Sequence, residues 1–240
     1  MPEELIWSQD MVKRFWDYES WRPETYFSYQ VGGVLVRFFD RYLKGASAIA
    51  DYGAGPGFLL EDLLADGFKC GAIDLSPASI AGIEQKFGHR DGFIGAWNGD
   101  GRLPQKFDVI FFNGVAEHLY DAELDKCLES IRDMLANGGI LIVTTPNDED
   151  LSKMQVMSPE SGKLFHRWQH VRSFTTSSLA ELLRPRGFQV LESGTTDFGV
   201  YVRAHRRTTP LSRRMVRSLK WSLIPHRYKP PHLYAVAKKP

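Results

Sequence analysis

The chain has 240 residues, of which 43% are apolar and 25% carry a charge. These proportions are typical of a globular domain with a buried core, and they exclude a disordered, collagen-like or disulfide-stapled chain. The two cysteines, Cys70 and Cys127, have no second pair with which to form a metal cage, so we expect reduced thiols and a cytoplasmic protein. We expect neither a signal peptide, since residues 1–4 are acidic, nor an apolar run of the ~20 residues that span a bilayer.

The formal net charge of +1 hides an uneven distribution. Residues 201–240 hold 11 Lys and Arg and no acid, whereas residues 1–200 hold 19 Lys and Arg against 29 Asp and Glu. The sequence therefore predicts a basic surface on an otherwise acidic protein.

Residues 8–44 are predicted to be helical and are unusually aromatic. The aromatic side chains in this segment and just before it are Trp7, Phe15, Trp16, Trp21, Tyr26, Phe27 and Tyr29. We call residues 1–45 the leader and expect the main domain to span residues 46–240. A leader of this kind can close over the mouth of a cleft, although such aromatic clusters are also typical of core packing.

From about residue 46, short β-rich runs alternate with longer helical runs, which predicts parallel strands joined by helices. The predicted strands are 47–52, 68–74, 93–96, 107–112, 140–145, 188–193 and 233–237, and the predicted helices are 57–65, 78–86, 122–135 and 176–183. We expect Gly138 and Gly139 to end the third helix, and the apolar run after them is typical of a strand covered on both faces. The predicted fold is α/β, with a doubly wound, mostly parallel, seven-stranded sheet of the Rossmann-like kind, a helical leader and a basic insertion before the last strand.

The first predicted strand runs into Asp51-Tyr52-Gly53-Ala54-Gly55-Pro56-Gly57 and then into a helix. Ligands of doubly wound sheets bind beyond the carboxyl ends of the strands, where glycines let a ligand approach the backbone. The spacing is G-x-G-x-G, whereas the dinucleotide fingerprint is G-x-G-x-x-G with its helix directed at a pyrophosphate. A nucleotide without phosphates fits this turn better, and the carboxylate of Asp51 would repel a diphosphate and attract a cation.

Asp74 ends the second predicted strand, 21 positions after Gly53. A carboxylate at this place can accept hydrogen bonds from both hydroxyls of a ribose. The glycines alone would be explained by a plain strand-to-helix turn. Together with the acid at the neighbouring strand end, they predict a nucleoside site.

Residues 46–146 resemble, motif by motif and in order, the class I S-adenosylmethionine-dependent methyltransferases. The matching segments are Ala48-Ile-Ala-Asp-Tyr-Gly-Ala-Gly-Pro-Gly57, Gly71-Ala-Ile-Asp-Leu75, Leu103-Pro104 with Phe107-Asp108-Val109-Ile110, Glu117-His118-Leu119 and Leu135-Ala-Asn-Gly-Gly139. Three later segments, Ser173-Phe174-Thr175, Gly187-Phe188 and Pro231-His232-Leu233, are most similar to the branch of ubiquinone-pathway O-methyltransferases and of sugar and natural-product methyltransferases.

The resemblance implies S-adenosylmethionine as the cofactor and S-adenosylhomocysteine as the product. It implies that the backbone of Gly53, Ala54 and Gly55 binds the methionine part, with Asp51 near its ammonium group. Asp74 would hold the ribose.

The adenine would lie at the ends of the second and third strands. The resemblance implies that Leu75 packs on the ring and that either Asn98 or Asp100 meets its edge, and of these we favour Asn98. Trp97 could offer a stacking face. Asn113 would touch the methionine part and face the acceptor.

Methyl transfer to an oxygen requires that the acceptor lose a proton, and histidine is the natural base near neutral pH. His118, His166 and His170 are the candidates, and we take His118 and His170 as the catalytic pair to test. His118 could instead be a helix-start residue tied to a backbone group, and His166 or His170 could instead anchor the loop after the fifth strand. His118 lies where the ubiquinone-pathway enzymes carry Glu-x-x-Glu-His, which there binds a divalent metal. Because Gly114 replaces the first of those acids, we expect no metal.

The expected function is methyl transfer to an oxygen of a small molecule, such as a sugar, a quinone precursor or a lipid-linked glycan. One alternative is an N-methyltransferase of a small amine, which would need no base. The other is a nucleotide-dependent oxidoreductase on the same type of sheet, which the glycine spacing disfavours. Arg167 and Arg172 could recognise an acidic substrate or pair with nearby carboxylates.

Residues 203–231 are the basic insertion before the last strand. Its apolar residues Leu211, Met215, Leu219, Trp221 and Leu223 recur near helical spacing with cations between them. Such a segment can be a solvated face that balances the acidic body, can touch an anionic membrane through residues 203–229, or can contact nucleic acid. We rank the three in this order, since no nucleic-acid recognition module accompanies the segment.

Overall fold

The structure is a computed structural model that describes residues 2–19, 22–99, 103, 105–207 and 229–240, with the backbone alone for residues 203–207. The predictions for Trp21, for Asp100 and for most of the basic insertion lie outside the described residues.

The strands are β1 (Ile49–Tyr52), β2 (Cys70–Asp74), β3 (Phe93–Asn98), β4 (Phe107–Asn113), β5 (Leu135–Pro146), β6 (Gln155–Met157), β7 (Leu164–His166), β8 (Gln189–Thr196) and β9 (His232–Lys238). The α-helices are α1 (Gln9–Glu19), α2 (Phe27–Phe38), α3 (Asp40–Leu43), α4 (Phe58–Ala65), α5 (Pro77–Phe87), α6 (Asp121–Met134), α7 (Thr176–Leu183) and α8 (Phe198–Arg207). No helix among them is long and apolar enough to cross a membrane, as far as the described ranges extend.

Within the described ranges, seven strands form one sheet in the order β3-β2-β1-β4-β5-β9-β8, and β6 and β7 form a separate antiparallel hairpin. Strands β1 to β5 are parallel, and β9 is antiparallel to both of its neighbours. The predicted mostly parallel, seven-stranded α/β sheet is therefore confirmed.

Helices cover both faces of this sheet. Helices α6 and α7 bury Ile131 and Leu179 against one face, and α2, α4, α5 and α8 cover the other. In β5, Leu141 belongs to the first core and Ile142 to the second. This is why residues 140–143 are apolar without alternation.

The leader contributes to the core as well as to the surface. Leu35 in α2 and Leu43 in α3 are fully buried in the core that lies against α4. At its beginning, the leader runs beside the β6–β7 hairpin, where the backbone N–H of Leu5 donates to the carbonyl of Leu164 at 2.7 Å. We call residues 3–7, which lie along this hairpin, the strap.

The prediction was wrong at the junction of α6 and β5. The helix ends at Met134, and Leu135 is already extended and pairs with Phe107 of β4. Gly138 has the expected positive φ of 79°, but it lies inside β5, where the register with β4 shifts. It therefore accommodates an irregularity in the strand and does not cap the helix.

Candidate active site

The turn after β1 has the backbone conformation that the predicted nucleoside site needs. Gly53, Gly55 and Gly57 have φ values of 79°, 51° and 78°, a left-handed region that costs other residues about 1 kcal/mol or more. A Cβ at Gly53 would also lie 2.5 Å from Cγ2 of Val115. Both the conformation and the space therefore require glycine here.

Two carboxylates lie beneath and beside this turn. Asp51 is only 4% exposed, and burial, with the nearby charge of Asp74, raises the pKa of Asp51 to about 7. Burial also raises the pKa of Asp74, and hydrogen bonds from backbone N–H groups partly offset this effect. Two mutually repelling carboxylates favour a ligand that brings a positive charge.

Asp74 is held by the backbone around it. Its Oδ2 accepts the N–H of Gly55 at 2.8 Å, and its Oδ1 accepts the N–H of Ser76 at 2.8 Å. A carboxylate has about four lone-pair sites, so about two remain for the hydroxyls of a sugar. The contact with Gly55 also ties the carboxylate to the glycine turn.

The predicted adenine contacts lie at the neighbouring strand ends. Leu75 is 53% exposed, and Asn98 ends β3 opposite Asp74. A Cβ at Gly99 would lie 3.5 Å from Cδ2 of Leu75, so the two strand ends are close together. An exposed leucine beside a polar strand end suits a ring with an apolar face and a polar edge.

Trp97 is partly buried and packs against the core on one face of the sheet. A Cβ added at Gly71 would lie 2.6 Å from Cζ3 of Trp97, and one added at Gly95 would lie 2.6 Å from Cζ2. The Trp97 ring also lies 6.0 Å from that of Phe107, measured between centroids. The glycines of β2 and β3 thus make room for the indole, and this placement favours packing over the predicted stacking on adenine.

Aromatic residues of the leader cover the glycine turn. Cε1 of Tyr26 lies 3.1 Å from the position that a Cβ of Gly55 would occupy, and burial raises the pKa of this tyrosine. The ring of Trp16 lies 6.1 Å from that of Tyr26 and 4.9 Å from that of His118. A ligand on the backbone of Gly55 would therefore contact or displace Tyr26.

Five titratable side chains, which we call the histidine cluster, lie at the carboxyl ends of β4 and β5. They are Glu117, His118, Glu149, His166 and His170. Nδ1 of His170 lies 2.5 Å from Oε2 of Glu149. The rings of His166 and His170 are stacked at 4.4 Å, and those of His118 and His170 meet edge to face at 4.8 Å.

Burial dominates the electrostatics of this cluster. It lowers the pKa of His118 to about 3 and raises that of Glu117 to about 7. Burial alone would raise the pKa of Glu149, but the hydrogen bond and charge of His170, with His166, bring it below its ordinary value. Burial, with the charge of His170, also lowers the pKa of His166. Near neutral pH, Glu149 is a carboxylate and His118 is a neutral imidazole of very low basicity.

Several buried polar atoms in this region have no hydrogen-bond partner within the part of the chain that the structure describes. They are Asn113 Nδ2, Glu117 Oε2, His118 Nδ1, Thr145 Oγ1 and His166 Nε2. Asn113 Oδ1 does accept the hydroxyl of Thr144, at 2.9 Å. Each unpaired buried atom costs about 1–3 kcal/mol, so their concentration where β4 and β5 end is suited to polar ligand groups.

Two groups in the histidine cluster have donor atoms close enough for a cation. They are Glu117 with His118 and His170, and Glu149 with His166 and His170. In the second group, Nδ1 of His166 accepts the backbone N–H of Trp168 at 3.3 Å and of His170 at 3.2 Å. A neutral His166 therefore carries its proton on Nε2, which cannot then bind a metal. The expectation of no metal stays a prediction.

The arginines that we considered for substrate recognition have partners in the fold. Arg172 donates from Nε to the carbonyl of Leu119 at 2.7 Å and pairs with Asp121 at 2.8 Å. The guanidinium of Arg167 lies 4.9 Å from the centre of the Trp168 ring. The structure thus favours the pairing interpretation for Arg172.

Sequence reasoning missed Glu149 altogether. The acid follows β5 by three residues, within the run Asn147-Asp148-Glu149-Asp150. Its position beyond a strand's carboxyl end was a usable signal, because ligand-binding groups of such sheets gather there. It did not show which of the three acids faces the histidines.

Comparisons with known proteins agree with the observed fold. A family model described as "Methyltransferase domain" matches residues 18–193. The 1,6-didemethyltoxoflavin-N1-methyltransferase of Burkholderia thailandensis has a TM-score of 0.61 and 18% identity, over 99% of this chain and 93% of that one. An S-adenosylmethionine-dependent methyltransferase from Clostridium acetobutylicum has a TM-score of 0.61 and 14% identity, over 96% of this chain and 99% of that one.

The glycopeptide N-methyltransferase MtfA has a TM-score of 0.61 and 15% identity, over 87% of this chain and 90% of that one. At these identities the structural similarities show the fold alone. No curated protein matches the sequence. The family model nevertheless covers most of the chain, and the protein therefore belongs to the methyltransferase-domain family, as an enzyme of the class I fold.

Proposed function

We propose that this enzyme uses S-adenosylmethionine to methylate an oxygen of a small-molecule acceptor and releases S-adenosylhomocysteine. Family membership supports the reaction class. The observation that carries the cofactor assignment is the left-handed glycine turn tied to Asp74 through the N–H of Gly55. A structure of MtfA complexed with S-adenosylmethionine supports the same assignment.

We propose that the two acids and the strand ends each bind a different part of the cofactor. We assign the methionine part to the backbone of Gly53 to Gly55, its ammonium group to Asp51, and the ribose diol to Asp74. We assign the adenine to Leu75 and Asn98. When bound, the cofactor supplies a methyl group made electrophilic by the sulfonium, and the protein's task is to position the acceptor and exclude water.

Of the two catalytic candidates, we assign proton removal to His170. A base with a pKa of about 3, as His118 has, takes up almost no protons near neutral pH. His170 lines a cavity of about 120 Å³ together with the strap residue Trp7, Tyr120 and Phe165. Aromatic walls suit a quinone precursor, a natural product or the apolar face of a sugar, in keeping with the branch that the sequence resembles.

A small amine is the second candidate acceptor, because MtfA and the toxoflavin enzyme are named as N-methyltransferases. The oxidoreductase alternative has less support. A dehydrogenase sheet has the order 3-2-1-4-5-6, whereas here the antiparallel β9 lies between β5 and β8.

The Asp74→Ala variant tests the cofactor assignment. We expect it to bind S-adenosylhomocysteine about 1–3 kcal/mol more weakly, through loss of charge-assisted hydrogen bonds. Isothermal titration calorimetry measures this difference, with Asp66→Ala as a control because Asp66 is an exposed acid at the end of α4. Equal affinity in the wild type and the Asp74 variant would refute the ribose assignment. Binding of a reduced nicotinamide in place of S-adenosylhomocysteine would support the oxidoreductase.

We propose the leader, residues 1–45, as a lid over the cleft, and we keep contact with an anionic membrane through residues 203–229 as the alternative to a solvated face. We expect a variant with Arg213, Arg214, Arg217 and Lys220 all changed to Gln to bind vesicles containing anionic lipid less than the wild type does, since each cation near such a surface contributes about 1 kcal/mol. Cosedimentation with anionic and with neutral vesicles measures the difference. Equal sedimentation of both proteins would mean that the segment is a solvated face.

A further inference from the structure

We infer that Glu149 and His170 form a carboxylate–histidine pair in which Glu149 is a positioning residue, and that the acceptor group is a hydroxyl whose proton is taken by Nε2 of His170. This inference rests on the proposed methyl transfer and deepens it.

The hydrogen bond between the two side chains determines where the proton of His170 lies. Nδ1 of His170 is 2.5 Å from Oε2 of Glu149. An ionised carboxylate can only accept hydrogen bonds, so Nδ1 must carry the hydrogen. In the neutral ring, Nε2 then has a free lone pair, which is the form that a general base needs.

His166 contacts both members of the Glu149–His170 pair. Because its Nδ1 accepts two backbone N–H groups, its own hydrogen lies on Nε2, which is 3.3 Å from Oε1 of Glu149 without the geometry of a hydrogen bond. Both carboxylate oxygens thus lie near protonated nitrogens. The His166 ring is stacked on that of His170 at an interplanar angle of 16°. His170 is therefore fixed in tautomer by Glu149 and in orientation by His166.

The pair lies where an acceptor can reach it. His166 and His170 both line the cavity beneath the strap. The backbone N–H of Val171, the next residue, donates to the carbonyl of Glu117 at 2.9 Å, which ties this loop to the end of β4. The base is thus anchored to the turn that follows β4, four residues beyond Asn113, the residue that we expect to face the acceptor.

The chemistry of the pair points to a hydroxyl acceptor. The acceptor O–H bond breaks and its proton bonds to Nε2 of His170, while an oxygen electron pair forms the bond to the methyl carbon. The electrons of the broken methyl–sulfur bond remain on the sulfur as a thioether, and the proton on His170 leaves to solvent. The charge of Glu149 stabilises the imidazolium. A neutral amine already has a free electron pair on nitrogen. It would therefore gain nothing from the Glu149–His170 base before it attacks the methyl group.

The tautomer of His170 tests the pair without any acceptor. Long-range proton–nitrogen correlation spectra of the labelled full chain should show hydrogen on Nδ1 of His170 in the wild type and a shift toward Nε2 in Glu149→Ala. Glu160→Ala is the matched control, because Glu160 is an exposed acid of the same segment, and it should leave the spectrum unchanged. An unprotonated Nδ1 in the wild type, or an unchanged tautomer in Glu149→Ala, would overturn the inference.

Turnover tests the acceptor class. With a panel of simple phenols and matched anilines, we expect the wild type to methylate phenols, and Glu149→Gln to lower kcat at least about 100-fold with little change in KM. The loss should be smaller for an acidic phenol such as 4-nitrophenol, which needs less help to ionise. His170→Gln combined with Glu149→Gln should be no worse than His170→Gln alone, because the two act as a unit.

Methylation of the anilines with none of the phenols would overturn the hydroxyl assignment. If Glu149→Gln lowered kcat equally for all phenols and also raised KM, Glu149 would be a structural residue and not a positioning residue. Failure of S-adenosylhomocysteine to bind the wild type would instead refute the proposed function, and it would leave the tautomer measurement intact.

Discussion

An Asp51→Asn variant is expected to be more stable than the wild type at pH 8 and yet to bind S-adenosylhomocysteine more weakly. Burial and the charge of Asp74 raise the pKa of Asp51 from 3.8 to about 7. In the folded protein the carboxyl group therefore keeps its proton up to about pH 7, whereas the unfolded chain releases it near pH 4. The stability of the wild type consequently falls as the pH rises through this window, and the whole penalty is present above pH 7.

Asparagine has nearly the same shape and carries no charge, so it avoids this penalty. The difference between a pKa of 3.8 and one of about 7 corresponds to at most about 4 kcal/mol. Urea denaturation of the ligand-free protein should show a gain of this order at pH 8 that shrinks to nothing below pH 4. Asp66→Asn is the control for a general effect of lower negative charge. If the variant were less stable than the wild type at pH 8, the ionised carboxylate of Asp51 would not destabilise the folded protein.

The charge of Asp51 that lowers the stability of the free protein should favour ligand binding, so Asp51→Asn should lose affinity. At pH 8 the ionised Asp51 attracts the ammonium group of the ligand, and we expect its removal to weaken binding about 10-fold or more. At pH 6 the wild type holds a proton on Asp51, so the two proteins should bind more nearly alike. Calorimetry at both pH values measures this convergence. A constant ratio of affinities would place the ammonium group elsewhere.

Gly71→Ala is expected to destabilise the protein by about 3 kcal/mol, the upper end for overpacking a core. The backbone of Gly71 would accept alanine, since its φ lies outside the left-handed region. The added Cβ, however, would lie 2.6 Å from the Trp97 ring and 2.8 Å from the carbonyl oxygen of Gly95. The ring can shift, but the carbonyl belongs to the adjacent strand and cannot move without separating β3 from β2.

Denaturant unfolding measures this loss, with Gly82→Ala as the matched control. Nothing lies within 4 Å of a Cβ at Gly82, which is an interior residue of α5, so that change should stabilise by up to about 1 kcal/mol. Trp97→Leu should restore part of the stability lost in Gly71→Ala, because a smaller side chain frees the same space. A Gly71→Ala protein as stable as the wild type would contradict the close approach of the Trp97 ring and of the Gly95 carbonyl to Gly71.

The helices and strands that could be predicted from the sequence are those that neighbouring residues stabilise. Helix α7 was predicted as 176–183 and is found at Thr176–Leu183, because Thr175 and Ser178 cap its first turn with their own side chains. The start of β5 was missed by five residues, since Leu135 is extended only through its pairing with Phe107 of β4. That pairing joins residues 28 positions apart, and no pattern within a short window contains it.

The alternation of parallel strands with helices, the glycine turn and the acid of β2 were determined by the sequence alone, because periodicity, glycine conformation and strand length act over a few neighbouring residues. Three features were decided only by the tertiary structure: the indole of Trp97 seated over two glycines, the ring of Tyr26 placed on Gly55, and the acid Glu149 brought to His170. Each depends on residues from different elements that only the folded chain brings together, where partial burial affects both packing and protonation.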